Sequence, residues 1–178
     1  MGYIWLGSKK GTGFGIKGWW FPLVRTRRVG IDLGFRYQLA KYIYLDADMN
    51  MNQGKLRDEP ANANRIPLAP RLTSIGGVTY KKSTGISGSI RYRYMGDRAA
   101  IEDNSIVAEG CLLMDALVNY NFKNYQVGFS AENILNVKWK EAQFATESRL
   151  REESEPVNEI HYTPGTPFFA KVSFGYLF

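Results

Sequence analysis

The chain has 178 residues, a formal net charge of +6, and 22% charged against 44% hydrophobic residues. That is long enough for one domain with a core of its own. It holds one Cys, Cys111, and one His, His161, which excludes an internal disulfide, a CxxC site and a multi-histidine metal cluster, and no window of ~20 uninterrupted apolar residues exists to span a membrane as a helix.

Beyond Arg25-Thr-Arg27-Arg28 the basic residues are scattered, so the positive charge does not mark a nucleic-acid surface. The short inventory of His and Cys argues against an enzyme. Aromatic residues at 14% and 18 glycines suit twisted strands, tight turns and interfacial anchors.

Two segments are expected, 1–28 and 29–178. The first carries the weaker pattern. Met1 to Lys10 lacks the basic start and 7–15 residue apolar stretch of a signal peptide. An exported protein needs one, so either the chain is a piece of a longer protein or a membrane reading fails. Gly11-Thr-Gly13-Phe-Gly15 is not a phosphate loop, since no apolar strand leads in and no Gly-Lys-Thr/Ser follows. Trp19-Trp20-Phe21-Pro22 is an apolar knot, suited to an edge strand or an interfacial loop.

From Arg28 the period becomes two, the strand period. Ile31, Leu33, Phe35, Tyr37 and Leu39 alternate with Asp32, Gly34, Arg36 and Gln38. After a break at Ala40-Lys41, Ile43, Leu45, Ala47, Met49 and Met51 alternate with Tyr44, Asp46, Asp48, Asn50 and Asn52. A polar loop, 53–71, ends in Ile66-Pro-Leu-Ala-Pro-Arg71, where two prolines forbid a helix. Leu72–Tyr80 is a strand weakened by Gly76-Gly77. After a turn at 81–84, Ile86, Gly88, Ile90, Tyr92 and Tyr94 alternate with Ser87, Ser89, Arg91 and Arg93.

A second loop, 96–111, precedes Leu112 to Phe122. A tight turn at Lys123-Asn124 leads to Tyr125–Glu132. The third loop, 133–167, is the longest. Its stretch Trp139 to Glu155, rich in Glu, Lys, Arg, Ala and Gln, is predicted to hold one or two helical turns. Pro164-Gly-Thr-Pro167 breaks the chain before a last strand, in which Phe168, Ala170, Val172, Phe174, Tyr176 and Phe178 share one face.

Between these strands the connections run short, long, short, long, short, long. An up-and-down meander therefore gathers the short turns at one end and the long loops at the other, the arrangement of outer-membrane barrels. The expected fold class is all-β, an antiparallel up-and-down transmembrane β-barrel segment of seven or eight strands. Tyr92, Tyr94, Tyr120, Tyr125, Phe174 and Tyr176 then face the membrane or form its aromatic girdles, and their alternative is core packing of a soluble sheet.

Arg36, Asp46, Asp48, Asn50, Arg91 and Arg93 then face the lumen, either touching a plug or ligand or forming a salt-bridged wall. Asp46 and Asp48 lie about 7 Å apart by strand rise, which also suits a pair of catalytic carboxylates, though no cleft supports that reading. His161 with Glu159 and Glu155 reads as a polar loop edge rather than a metal site. No cofactor is implied.

Arg28-Val-Gly-Ile-Asp-Leu-Gly-Phe-Arg-Tyr37, Ile66-Pro-Leu-Ala-Pro-Arg71, Gly88-Ser-Ile-Arg-Tyr-Arg-Tyr94, Ala131-Glu-Asn-Ile-Leu-Asn136, Tyr162-Thr-Pro-Gly-Thr-Pro167 and the terminal Phe178, in that order, resemble the C-terminal part of TonB-dependent outer-membrane receptors. The resemblance covers residues 25–178. It implies the closing third of a barrel of roughly 22 strands in the outer membrane of a Gram-negative bacterium. It also implies lipid around the barrel, a plug domain inside it and the TonB complex as energy source. The imported ligand would be scarce, such as a metal–siderophore complex, cobalamin, haem or a glycan. Phe174, Tyr176 and Phe178 would be the signal read by the barrel-assembly machinery. Plug, TonB box and signal peptide have no counterpart in these residues. The alternatives are a stand-alone eight-stranded outer-membrane barrel, with part of residues 3–24 as a strand, and a soluble β-barrel ligand carrier.

Overall fold

A computed structural model of the protein describes residues 25–149, 151–152 and 154–176, and the backbone of 3–11. The glycines Gly13 and Gly15, the knot at Trp19 to Pro22 and the terminal Phe178 lie outside the described residues.

Among the described residues twelve strands follow one another: β1 Tyr3–Gly11, β2 Thr26–Ala40, β3 Ile43–Leu56, β4 Leu72–Tyr80, β5 Gly85–Met95, β6 Arg98–Ala99, β7 Val107–Ala108, β8 Cys111–Phe122, β9 Tyr125–Glu132, β10 Lys140–Ser148, β11 Val157–Pro164 and β12 Phe169–Tyr176. Eight of them form one antiparallel sheet in the order β1-β2-β3-β4-β5-β8-β9-β12. The sheet is an up-and-down meander, because each strand pairs with its predecessor in the sheet. Its short turns fall at 41–42, 81–84 and 123–124, and its long connections all leave from the opposite end.

Two long connections carry hairpins of their own, β6–β7 and β10–β11. Among the described residues between Trp139 and Glu155 the expected helical turns are absent. Lys140–Ser148 is a strand, paired antiparallel with Val157–Pro164. Helix-favouring Glu, Ala and Gln lose to tertiary contacts here, as strand propensity is set by what the side chains meet. Phe144 stacks on His161 with ring centroids 6.2 Å apart, and Gln143 is buried against the neighbouring loop.

Strand β3 also runs past the expected end at Asn52. Gln53, Gly54, Lys55 and Leu56 pair with Val29, Arg28, Arg27 and Thr26. A tilted strand needs only about 9–11 residues to cross a bilayer. At 15 and 14 residues, β2 and β3 extend well beyond that length, which is why the polar text above Asn52 still belongs to the ladder.

The register sorts the side chains, since paired residues share a face. Phe35, Tyr37, Val78, Ile90, Val118, Tyr120, Phe129, Val172 and Phe174 fall on one face with Tyr92, Tyr94, Tyr125 and Tyr176. This face is open, with Val172 71% and Phe174 69% exposed. Near the short-turn end it carries the ring pairs Phe35–Tyr37, Tyr120–Phe122 and Tyr125–Tyr176. Tight packing lies elsewhere. Apart from glycines within the sheet, the buried residues among those described are Ala99, Ala100, Ala108, Leu113, Ala131, Asn133 and Gln143, and they gather at the foot of the long loops.

Candidate functional site

The opposite face is polar, and its charges form a register row. Arg36 on β2 stands opposite Asp46 on β3, Asp46 opposite Gly77 on β4, Gly77 opposite Arg91 on β5, and Arg91 opposite Asp115 on β8. Asp48 and Arg93 lie one step nearer the long loops, with Ile75 between them. The five residues singled out from the sequence, Arg36, Asp46, Asp48, Arg91 and Arg93, are thus brought together on one face.

Their pairing is not the simple opposite-neighbour pattern. Arg36 reaches diagonally and donates from Nη2 to Asp48 Oδ2 at 2.6 Å. Arg91 donates from Nη1 to Asp46 Oδ1, also at 2.6 Å, crossing the whole width of β4. Gly77 lets it do so. A Cβ at Gly77 would collide with the Ile90 carbonyl and meet Arg91 Cδ at 3.0 Å. Its neighbour Gly76 plays the same part on the apolar face, where the Tyr92 ring lies over it and the Tyr92 hydroxyl reaches Ser74 Oγ at 2.9 Å. Both carboxylates of the Asp46–Asp48 pair are therefore held by guanidinium groups, in the manner of a structural wall rather than of a catalytic pair.

Asp115 ends the row with two tasks. It accepts from Arg93 Nη2 at 3.0 Å and from the Asn133 backbone N–H at 2.9 Å. Asn133 is 3% exposed and left-handed, with φ 49°, a conformation that Asn tolerates better than most residues. Its side chain donates to the carbonyls of Val137 (2.9 Å) and Thr166 (3.1 Å) and accepts from the Val137 N–H (2.9 Å). Asn133 thereby ties the exit of β9 to the entry of β12, 33 residues on. Nearby, Gly165 lies flat against the Trp139 indole, which a Cβ would strike.

The long loops form one connected layer over this face. The Arg65 N–H donates to the Glu102 carbonyl (3.0 Å) and the Leu68 N–H to the Ala99 carbonyl (2.7 Å), joining the first loop to the second. Gln143 then exchanges two hydrogen bonds with the Glu109 backbone, at 2.9 and 2.8 Å, joining the second loop to the third. Lys140 Nζ adds an ion pair to Glu109 at 3.0 Å. Sequence reasoning missed Gly77, Asp115, Asn133 and Gln143. The Gly76-Gly77 pair and the Asn133/Asn136 spacing were the available signals, whereas nothing marks Gln143 before its partner loop is known. Among the described residues, no group of three His, Cys, Asp or Glu side chains is placed to hold a metal ion.

The family model of the TonB dependent receptor-like β-barrel matches residues 18–134. Among solved structures, the ferric yersiniabactin uptake receptor FyuA from Yersinia pestis is similar at a TM-score of 0.65 and 12% identity, over 87% of this chain and 24% of that one. The ferric-catecholate import receptor Fiu from E. coli K12 is similar at 0.66 and 14% identity, over 93% and 23%. The copper transporter OprC is similar at 0.60 and 20% identity, over 98% and 28%. At these identities the likeness is one of fold, and the chain spans about a quarter of the length of these structures. No curated relative matches the sequence.

Proposed function

The chain belongs to the TonB-dependent receptor β-barrel family, whose members are outer-membrane transporters rather than enzymes, and on that premise we propose that it forms part of the wall and outer mouth of a transporter that imports a scarce ligand. A metal complex is the preferred cargo, because ferric and copper substrates are those of the similar structures. The observation that carries the reading is the two-faced sheet. The face of Val172 and Phe174 is apolar, open and edged with aromatic pairs, as a lipid-facing surface must be. The face of Arg36, Asp46, Asp48, Arg91 and Arg93 is ion-paired and polar, and it lines the lumen, where a plug domain sits in the complete receptor and couples it to the TonB complex. Phe174 and Tyr176, with Phe178 beyond the described residues, serve the barrel-assembly machinery. The location is the outer membrane of a Gram-negative bacterium.

The test uses adjacent positions on β12. Val172→Cys and Ser173→Cys, each in a Cys111→Ser background, are coupled to an environment-sensitive fluorophore and placed in lipid vesicles. The dye at 172 is expected to emit as in hydrocarbon and the dye at 173 as in water. Identical emission at both, unchanged by lipid, favours the soluble carrier instead.

A further inference from the structure

A cavity of about 270 Å³ opens between the first and second long loops. Arg65, Arg71 and Arg98 line it, with Gly54, Ile66, Ala69, Asp97, Ala99, Asn104 and Val107. We propose that this cleft is an anion-binding site, in which Arg65, Arg71 and Arg98 take the carboxylate or phosphate groups of a small polyanion.

Its place follows from the register. Gly54 and Asn52 continue the polar face of β3. The first loop folds over that face, with Asn52 Nδ2 donating to the Pro70 carbonyl at 2.9 Å. Ile66 covers Gly54 so closely that a Cβ there would sit 2.6 Å from Ile66 Cδ1. The cleft therefore lies over the polar face at the long-loop end. The proposal gives the transport reading a ligand class, and it rests on that reading for calling this end the outer mouth.

The charge balance selects an anion. Asp97 is the one carboxylate in the lining, and its Oδ1 is engaged by the Gly110 N–H at 2.7 Å. Among the described residues, neither Arg65 nor Arg71 makes an ion pair, unlike Arg25, Arg36, Arg91 and Arg93. Arg98 donates from Nη1 to the Met95 thioether at 2.9 Å, a weak acceptor that leaves the other guanidinium donors available. On the same face Arg36, Arg91 and Arg93 each have a carboxylate to hold. Three arginines lining one small cavity without such partners are matched to carboxylate and phosphate groups, whose oxygens guanidinium N–H donors can bind in pairs. Arg65 and Arg98 are half-buried, and loop backbone walls the site, so the field is less screened than at the open surface. A neutral glycan does not use this chemistry.

The shared chemistry has two sources, a free small polyanion on its way inward or the phosphate of an outer-leaflet glycolipid. The whole chain in detergent micelles is treated with phenylglyoxal, and the modification of each arginine is followed by peptide mass spectrometry. The probes are citrate, inorganic phosphate and micelles containing lipid A, with glycerol as a neutral control. Citrate or phosphate is expected to slow modification of Arg65, Arg71 and Arg98 while leaving Arg57 unchanged. In calorimetry each single Arg→Gln substitution is expected to weaken citrate binding about tenfold, the worth of a charge-assisted hydrogen bond. Protection by lipid A alone supports the site and assigns it to the glycolipid. Equal modification rates under all probes, or citrate binding unchanged in the R65Q/R71Q/R98Q variant, overturns the proposal. A chain that is monodisperse in buffer without detergent defeats the transport reading separately, and the same labelling still decides the anion site.

Discussion

Arg91 and Asp46 pair across an intervening strand, and the residue between them in the register is Gly77. The glycine matters more to stability than the ion pair does. Gly77→Ala places a Cβ against the Ile90 carbonyl, and backbone cannot yield as a side chain can. The expected loss is about 1–3 kcal/mol, as for other overpacked sites. Asp46→Asn removes only a partly exposed ion pair, with an expected loss of ~0–1 kcal/mol. Urea unfolding of the detergent-refolded chain ranks the two. Gly175→Ala is the control, since its nearest contact is 3.8 Å. An Asp46→Asn effect larger than that of Gly77→Ala contradicts this account.

Asn133 combines a buried side chain with a left-handed backbone, and two substitutions separate these roles. Asn133→Ala loses the bonds to Val137 and Thr166 and strains φ, the strain alone costing roughly 1–2 kcal/mol. Asn133→Gly relieves the strain but not the lost bonds, so it should fall between wild type and Ala. Proteolysis of the 133–168 loop reads the order. If Gly proves as damaging as Ala, the hydrogen bonds dominate and the backbone term is absent.

The alternation of β2, β3, β5, β8, β9 and β12 was legible because each strand has one apolar and one polar side. Loop lengths then gave the meander, and both arguments act within a few residues of sequence. What stayed hidden acts at long range. Lys140–Ser148 reads as helix-prone and becomes a strand only against Val157–Pro164. The five charged residues were recognisable as sharing a face, but their partners were not. Asp46 meets Arg91, 45 positions away, only after β4 is inserted between their strands. Even the weakness read at Gly76-Gly77 was half the message, since each glycine makes room for a side chain of β5.

Gln143 imitates a β-bridge, accepting from the Glu109 N–H and donating to the Glu109 carbonyl. It is 4% exposed, so its removal leaves two backbone groups unsatisfied near the buried foot of the loops. Gln143→Leu fills the same volume without the polar atoms. The expected loss is ~1–3 kcal/mol for unpaired buried groups, expressed locally. Hydrogen exchange at the Glu109 amide should accelerate while amides of β8 stay protected. Exchange unchanged at Glu109 shows that the loops hold together without this contact.

The first long loop is moored by Arg25 and Asp58, whose carboxylate accepts from Arg25 Nε at 3.1 and 3.0 Å. That hydrogen bond holds the Asp58 carboxyl below the usual carboxylate range, and the charge of the same guanidinium lowers it further. A folded-state value below the unfolded one means the contact stabilises above the unfolded value, about 3.9, and is lost as pH falls through the folded one. Arg25 stays charged throughout this window, its own value being raised by Asp58. The mooring should therefore be constant near neutrality and fail only in acid, below about pH 4. Its reporter is the Arg57 N–H, which donates to the Arg25 carbonyl at 2.8 Å. The exchange protection of Arg57 should drop on acidification in the wild type. In Asp58→Asn it should be low at every pH, because the amide has no charge to lose. An identical acid dependence in that variant shifts the responsibility to another carboxylate. Asp103 is the first alternative, because the Ser105 N–H holds its carboxyl low in the second loop.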